Sequence, residues 1–151
     1  MDIIRRDTDY ALRMVAYLAR AYETAEPVSA RTLAQENHVS YAIACKLLQK
    51  LSAAALVTSI MGSRGGFVLT REPKAITFKQ VLEAIQGPIT VNRCLLGDFK
   101  CPLKGTCPVH PKVAHMQRTL NDFLADVTLA EFAKTKGMQN DDTTQKAKRY
   151  S

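Results

Sequence analysis

Two features of the 151-residue sequence predict a mainly α fold with one small β-hairpin. Apolar residues recur at helical spacing in several segments, and most of these segments open with a residue that favours a helix N-terminus. Near the middle of the chain, two short β-rich runs flank a cluster of glycines. No uninterrupted apolar run approaches the length that crosses a bilayer, so we expect no membrane-spanning segment.

The first two helices open the chain. From Thr8 to about Tyr22 the apolar residues follow a helical period, and acidic residues stand where the first turn belongs. Ser29 is placed to cap a short second helix. We expect Asn37 and His38 to end that helix, because asparagine tolerates the left-handed conformation that a tight turn between helices often requires.

The third helix has two unlike faces. Ser40 is its predicted cap, and an apolar stripe at four-residue steps forms its back: Ile43, Leu47 and Leu51. A helix, a short turn and a second helix with an exposed polar face is the helix-turn-helix pattern, in which the second helix enters the major groove of DNA. The candidate DNA-contacting residues at its start and on its polar front are Ser40, Tyr41, Lys46, Gln49 and Lys50. Cys45 lies on the same helix, and we interpret it as a small, partly exposed side chain.

A hairpin directly after this helix makes the pattern a winged helix. Residues 56–60 and 67–70 are β-rich, and residues 62–66 between them form a turn cluster. Arg64 lies at the tip, free to enter a neighbouring minor groove or to pair with a phosphate. The alternative interpretation is an ordinary hairpin with a solvated arginine.

The remaining predicted helices lie in the second half of the chain. Thr77 and Gln80 form a capping box for a fourth helix, and Thr128 and Glu131 form another for a short last helix. Between them, a long segment with Pro111 in its first turn carries a seven-residue apolar repeat: Val109, Val113, Met116, Leu120, Phe123 and Val127. This repeat favours a long helix packed against its twin in a homodimer. The alternative is a single amphipathic helix that lies on its own domain.

These elements divide the chain into four regions. Residues 1–88 form the winged helix-turn-helix DNA-binding domain, and residues 89–110 form a cysteine-rich loop. Residues 111–134 are the dimerisation helices, and residues 135–151 are a basic tail that we expect to be disordered.

The charge distribution gives weaker information than the total suggests. From Lys134 onward the chain has five basic and two acidic residues, which accounts for +3 of the net charge of +7 and leaves +4 on the body. A body that is only mildly basic supports nucleic-acid binding weakly by itself.

The cysteine-rich loop holds three of the four cysteines. Six residues separate Cys94 from Cys101, five separate Cys101 from Cys107, and His110 follows after two more. Thiolates and an imidazole in a loop without apolar periodicity suit an iron–sulfur cluster or zinc. The first residues contain no apolar leader, so we expect the cytoplasm, where thiols stay reduced and serve metal binding or redox sensing rather than disulfides.

Three alternatives to an iron–sulfur regulator stay open. Zinc in a Cys3His site is chemically possible, although structural zinc usually takes its ligands in tight Cys-x2-Cys pairs. A reversible disulfide between two of the cysteines would make a thiol switch. A cluster carrier that binds no DNA is a third possibility. An enzyme is not expected, because no cysteine stands in a nucleophilic arrangement and no nucleotide-binding glycine loop is present.

With these residues in place, the sequence resembles the IscR and NsrR family of bacterial winged-helix regulators, also called the Rrf-two superfamily, from its first residues to about Ala133. Besides the three-cysteine loop, the matching features are Thr8-Asp9-Tyr10-Ala11-Leu12-Arg13, Leu56-Val57, Arg64-Gly65-Gly66-Phe67-Val68-Leu69 and Thr128-Leu129-Ala130-Glu131-Phe132. The wing departs from the commonest family pattern, in which a proline and a further glycine precede the paired glycines. The first two cysteines are also spaced slightly wider than in many relatives.

The resemblance implies a homodimeric transcriptional regulator, acting as a repressor, that binds double-stranded DNA at a palindromic operator. It also implies one iron–sulfur cluster per subunit, ligated by Cys94, Cys101 and Cys107. His110 matches the fourth ligand of the IscR type, which reports cluster supply through a two-iron cluster. Asp9 matches the aspartate that the partner subunit supplies to the four-iron cluster of the NO-sensing NsrR type. Because both residues are present, the sequence leaves the cluster type and the signal (NO, redox state or iron supply) undecided.

Overall fold

Six α-helices and one two-stranded antiparallel sheet make up residues 2–134, the part of the chain that this computed structural model describes. In chain order they are α1 (Arg6–Ala21), α2 (Ala30–Glu36), α3 (Tyr41–Ala53), β1 (Val57–Ile60), β2 (Gly66–Leu69), α4 (Phe78–Gln86), α5 (His110–Asp126) and α6 (Leu129–Ala133). The mainly α fold with a hairpin is therefore confirmed. The predicted disordered tail, 135–151, lies outside the described residues.

Helix α1 lies at the centre of the hydrophobic core. Its inner face is buried along its length and consists of Thr8, Ala11, Met14, Val15, Leu18 and Ala19. Helices α2, α3, α4 and α6 and strand β2 pack around it. The buried Thr8 hydroxyl donates a hydrogen bond to Gln86 Oε1 on α4 at 2.6 Å, so a polar group in this core has its partner.

The helix-turn-helix is formed by α2, α3 and the turn between them. Both predicted caps are confirmed: Ser29 Oγ accepts from the Thr32 amide at 3.0 Å, and Ser40 Oγ accepts from the Ile43 amide at 3.3 Å. The turn itself corrects the prediction for Asn37, because the left-handed residue is His38, with φ of 53°. Asn37 has φ of −103° and is buried, with its side-chain amide donating to the Leu33 carbonyl at 2.8 Å. This bond holds Asn37 in the last turn of α2, so the left-handed conformation falls on the next residue.

The wing, formed by β1 and β2, is hydrogen-bonded to the segment that precedes α2. In the hairpin, Val57 lies opposite Leu69 and Ile60 lies opposite Gly66. Phe67 exchanges two backbone hydrogen bonds with Val28, at 2.8 and 3.0 Å, on the other side of β2. A Cβ at Gly66 would lie 2.5 Å from the Val28 carbonyl oxygen, so this close pairing requires glycine.

The junction between α5 and α6 is joined to the start of α4. The predicted capping boxes at Thr77 and Thr128 are both confirmed. The Phe78 amide donates to the Val127 carbonyl at 2.8 Å, and the Leu129 amide donates to the Ile76 carbonyl at 3.0 Å. Because Leu129 is fully buried, α6 is anchored in the core around α1.

Helix α5 leaves half of its heptad seam exposed in the single chain, while Val113, Leu120 and Val127 are half-buried. The helix begins at His110 with Pro111 in its first turn, as predicted. The seam residues Met116 and Phe123 are 52% and 61% exposed, whereas Leu124, which is off the seam, is buried. No helix within residues 2–134 is both long and apolar enough to cross a bilayer.

Candidate DNA-binding surface and cysteine loop

The front of α3 presents most of its predicted DNA-contacting side chains to solvent. Ser40, Tyr41, Lys46 and Gln49 are all exposed. Lys50 differs from this group, because its Nζ donates to the Ile85 carbonyl at 3.2 Å. In the free chain its ammonium therefore contacts the end of α4.

An arginine that sequence reasoning missed joins this surface. The guanidinium of Arg31, on α2, lies 5.4 Å from the centroid of the Tyr41 ring. Such a cation–π pair orients both side chains at the surface. Arg31 is an exposed residue in the first turn of a short helix, and nothing in the sequence near it indicates an aromatic partner.

Tyr41 also contacts the cysteine on its own helix. A hydrogen bond with the Cys45 thiol one turn away, together with the charge of that group, raises the pKa of Tyr41, while Arg31 acts in the opposite direction. The neutral phenol has both a donor and an acceptor to offer.

The wing tip lies beside an open groove. Arg64 is exposed, and it lines a groove of about 710 Å³ together with residues of α1, α2 and the turn before α2, including Tyr17, Thr32 and Pro27. An exposed cationic side chain on the tip of a hairpin is placed to meet a phosphate backbone.

The cysteine loop is a chain of local turns. Cys94 lies in a short 3-10 turn, Arg93–Leu95. Local backbone hydrogen bonds form the later turns, such as the 2.8 Å bond from the Cys107 amide to the Leu103 carbonyl. Cys94, Cys101 and Cys107 are all free and half-buried, and His110, also half-buried, is the first residue of α5.

The predicted ligands are not gathered into a preformed site in the single chain. Within residues 2–134, no group of three His, Cys, Asp or Glu side chains lies close enough to hold a metal ion. The donor set nevertheless fits an iron–sulfur cluster in its chemistry, since three free thiols share one partly accessible loop.

Asp9 is held by an arginine in the free chain. Its Oδ2 pairs with Arg13 Nη2 at 2.7 Å, one helical turn away on α1. The same guanidinium donates through Nη1 to the Asn37 carbonyl at 3.2 Å and lies 4.9 Å from the Tyr10 ring centroid. Arg13 thus connects the exposed carboxylate of Asp9 to the turn that precedes α3.

Comparison with known proteins decides the family. The model of the Rrf2 family, described as an iron-dependent transcriptional regulator, matches residues 4–135. The chain belongs to the Rrf2 family. Its winged-helix fold and the resemblance seen in the sequence are thereby confirmed, and the chain is a DNA-binding transcriptional regulator rather than an enzyme.

Individual Rrf2 relatives cover most of the chain. An HTH-type transcriptional regulator of Aquifex aeolicus is 30% identical over 124 residues, which cover 81% of this chain and 85% of the relative. The HTH-type transcriptional repressor NsrR of Streptomyces coelicolor is 28% identical over 124 residues, covering 82% and 83%. The structure of CymR, the global cysteine regulator of B. subtilis, superposes with a TM-score of 0.72 at 30% identity, covering 88% of this chain and 97% of CymR. A repressor and a cysteine regulator share this fold, so family membership leaves the signal to be argued from the chain's own residues.

Proposed function

We propose that this Rrf2-family regulator is a homodimeric repressor whose affinity for a palindromic operator is set by an iron–sulfur cluster bound to Cys94, Cys101 and Cys107. The observation that carries the proposal is the presence of three free, half-buried thiols in one loop directly before the long helix α5. A family described as iron-dependent supports this interpretation of the thiols. As a regulator of bacterial transcription, the chain would act in the cytoplasm.

The DNA-reading surface combines the front of α3 with the wing. The Gln49 amide has the donor and the acceptor that the major-groove edge of adenine requires, and Lys46 is suited to guanine or phosphate. Ser40 and Tyr41 lie at the start of α3, where helix-turn-helix proteins make most base contacts. Arg64 on the wing contacts the backbone or the adjacent minor groove. Lys50 completes the set, and its ammonium would leave the Ile85 carbonyl, which it meets in the free chain, to contact DNA.

The dimer forms through the exposed seam of α5. A seven-residue apolar repeat suits a second copy of the same helix, and Met116 and Phe123 lie half to mostly exposed along it. A two-fold axis at this seam presents two α3 helices to successive major grooves, which must lie one DNA turn, roughly 34 Å, apart. The operator is palindromic for this reason.

Several residues of this chain would hold the cluster. When bound, it would supply a group that NO or oxygen can attack and that is lost when iron is short. The three cysteines provide thiolate ligands, and Asp9 of the partner or His110 completes the set. A carboxylate or imidazole is a weaker anchor than a fourth thiolate, and this weakness makes the site responsive. If Asp9 is the ligand, its carboxylate leaves Arg13, and the bond from Arg13 to the Asn37 carbonyl changes at the turn before α3.

A thiol-based regulator is the second candidate. The three cysteines are free and are not gathered in the described chain, and the superposable protein CymR is a cysteine regulator. In this case a disulfide between two of the cysteines would replace the cluster as the signal. Zinc in a Cys3His site is a third possibility and would bind without visible colour.

Anaerobic reconstitution with iron and sulfide tests the proposal. The chain should gain visible absorbance, and its native mass should be that of a dimer with one cluster per subunit. Cys101→Ser should abolish the absorbance, whereas Cys45→Ser, which changes the cysteine on α3, should keep it. Asp9→Ala and His110→Ala then identify the fourth ligand, since only one of them should destabilise the cluster. A colourless wild-type protein that binds zinc, or that forms an intramolecular disulfide, would overturn the proposal.

A further inference from the structure

A single side chain on α5 holds the segment that leads into the cysteine loop. Gln117 Oε1 accepts a hydrogen bond from the backbone amide of Val91, and Gln117 Nε2 donates to the backbone carbonyl of Ile89, each at 2.8 Å. Nε2 also donates to Asn121 Oδ1, one turn along α5, at 3.1 Å. The bond to Asn121 fixes the orientation of the Gln117 side-chain amide. This amide then offers an acceptor to Val91 and a donor to Ile89, as the backbone of a neighbouring β-strand would.

The segment that Gln117 holds lacks regular structure of its own. It runs from Gly87, which ends α4 with φ of 81°, to the 3-10 turn Arg93–Leu95 that contains Cys94. Residues 87–92 form neither helix nor strand, so their position depends on bonds to other parts of the chain. Val91 precedes Cys94 by only three residues. The amide of Gln117 therefore sets the point from which the cysteine loop starts.

We infer that Gln117 is a positioning residue that couples the cysteine loop to the dimerisation helix. A conformational change in the loop around Cys94 displaces Val91 and Ile89. Because both are hydrogen-bonded to Gln117, α5 is displaced with them. Helix α5 packs on α4, which packs on α1 and α3, so the displacement reaches the recognition helix through contiguous contacts. This inference rests on the proposed function, in which α5 forms the dimer and the cysteines hold the cluster.

The first test uses the protein without a cluster. In Gln117→Leu, which keeps the bulk and removes both bonds, hydrogen exchange at the Val91 amide should become roughly tenfold faster. Alkylation of Cys94 by a maleimide should become several-fold faster, while Cys45 on α3 should react as in the wild type. Gln117→Glu keeps the acceptor for Val91 and removes the donor for Ile89. Val91 exchange and Cys94 alkylation should therefore accelerate less than in Gln117→Leu. Thr119→Ala is the matched control, because its hydroxyl bonds only within α5, to the His115 carbonyl at 3.1 Å.

The second test uses the reconstituted dimer. Removal of the cluster by a chelator, followed as loss of visible absorbance, should be faster in Gln117→Leu than in the wild type or Thr119→Ala. The affinity for a DNA duplex selected from a random pool should depend less on the cluster, so that the ratio of affinities with and without it falls toward one. Sedimentation should show that the variant remains a dimer.

Two results would overturn the inference. One is an unchanged Val91 exchange rate or an unchanged Cys94 reactivity in Gln117→Leu. The other is a wild-type ratio of DNA affinities in a variant whose loop is loosened. If the wild-type chain takes up no cluster, the proposed function fails, while Val91 exchange and Cys94 alkylation still decide whether Gln117 positions the loop.

Discussion

Truncation of Phe123 should weaken the dimer without unfolding the subunit. Phe123 lies on the seven-residue seam of α5 and is 61% exposed in the single chain. A phenylalanine buries about 150–250 Å² when fully enclosed, so each ring leaves roughly 100 Å² for a partner to cover. Two rings per dimer, at about 25 cal/mol per Å², contribute about 5 kcal/mol. Alanine keeps part of this area, so Phe123→Ala should cost about 3 kcal/mol, which is a roughly hundredfold weaker dimer.

Sedimentation equilibrium or mass photometry across a dilution series measures this change. Met61→Ala is the control, because Met61 is 90% exposed on the wing and off the seam, and its dissociation constant should equal that of the wild type. The thermal unfolding of Phe123→Ala at high protein concentration should show that the subunit fold survives. An unchanged dissociation constant in Phe123→Ala, or an equal loss in Met61→Ala, would refute the α5 seam as the interface.

Three further outcomes are expected. Arg64→Ala should weaken DNA binding and lower the slope of log affinity against log salt concentration by about one, as measured by fluorescence anisotropy; an unchanged slope would remove the wing from the interface. Gly66→Ala should lower the unfolding free energy by about 1–3 kcal/mol in urea titrations, because its Cβ would lie 2.5 Å from the Val28 carbonyl oxygen. Cys45→Ala should lower the pKa of Tyr41 toward its ordinary value in an NMR titration, since the hydrogen bond to the thiol favours the neutral phenol; an unmoved pKa would contradict that cause.

Local sequence determined the elements and their ends. Ser29, Ser40, Thr77 and Thr128 were all predicted to begin helices, and each does so in the structure. These predictions succeed because a cap bonds to a backbone group three residues away, and so the relevant partners are adjacent in the chain. The family resemblance follows from the same local motifs.

Long-range contacts decided what the side chains of the candidate sites do. Lys50 was predicted to contact DNA from α3, and the structure adds that its ammonium meets the Ile85 carbonyl, 35 residues along the chain. Arg31 meets Tyr41 across the helix-turn-helix, and Gln117 meets Val91 from 26 residues away. Neither contact leaves a periodic or spaced signal in the sequence, because a long polar side chain can reach any ring or backbone group that packing brings near.

The sequence by itself determined the winged-helix fold and the donors of the cysteine loop, since periodicity, caps and residue types are local properties. Only the tertiary structure decided how these parts are connected: which side-chain amide holds the loop entrance, which carbonyl Lys50 meets, and which arginine lies over Tyr41. The physical reason is that a hydrogen bond or ion pair forms wherever packing brings partners within about 3 Å, whatever their separation along the chain.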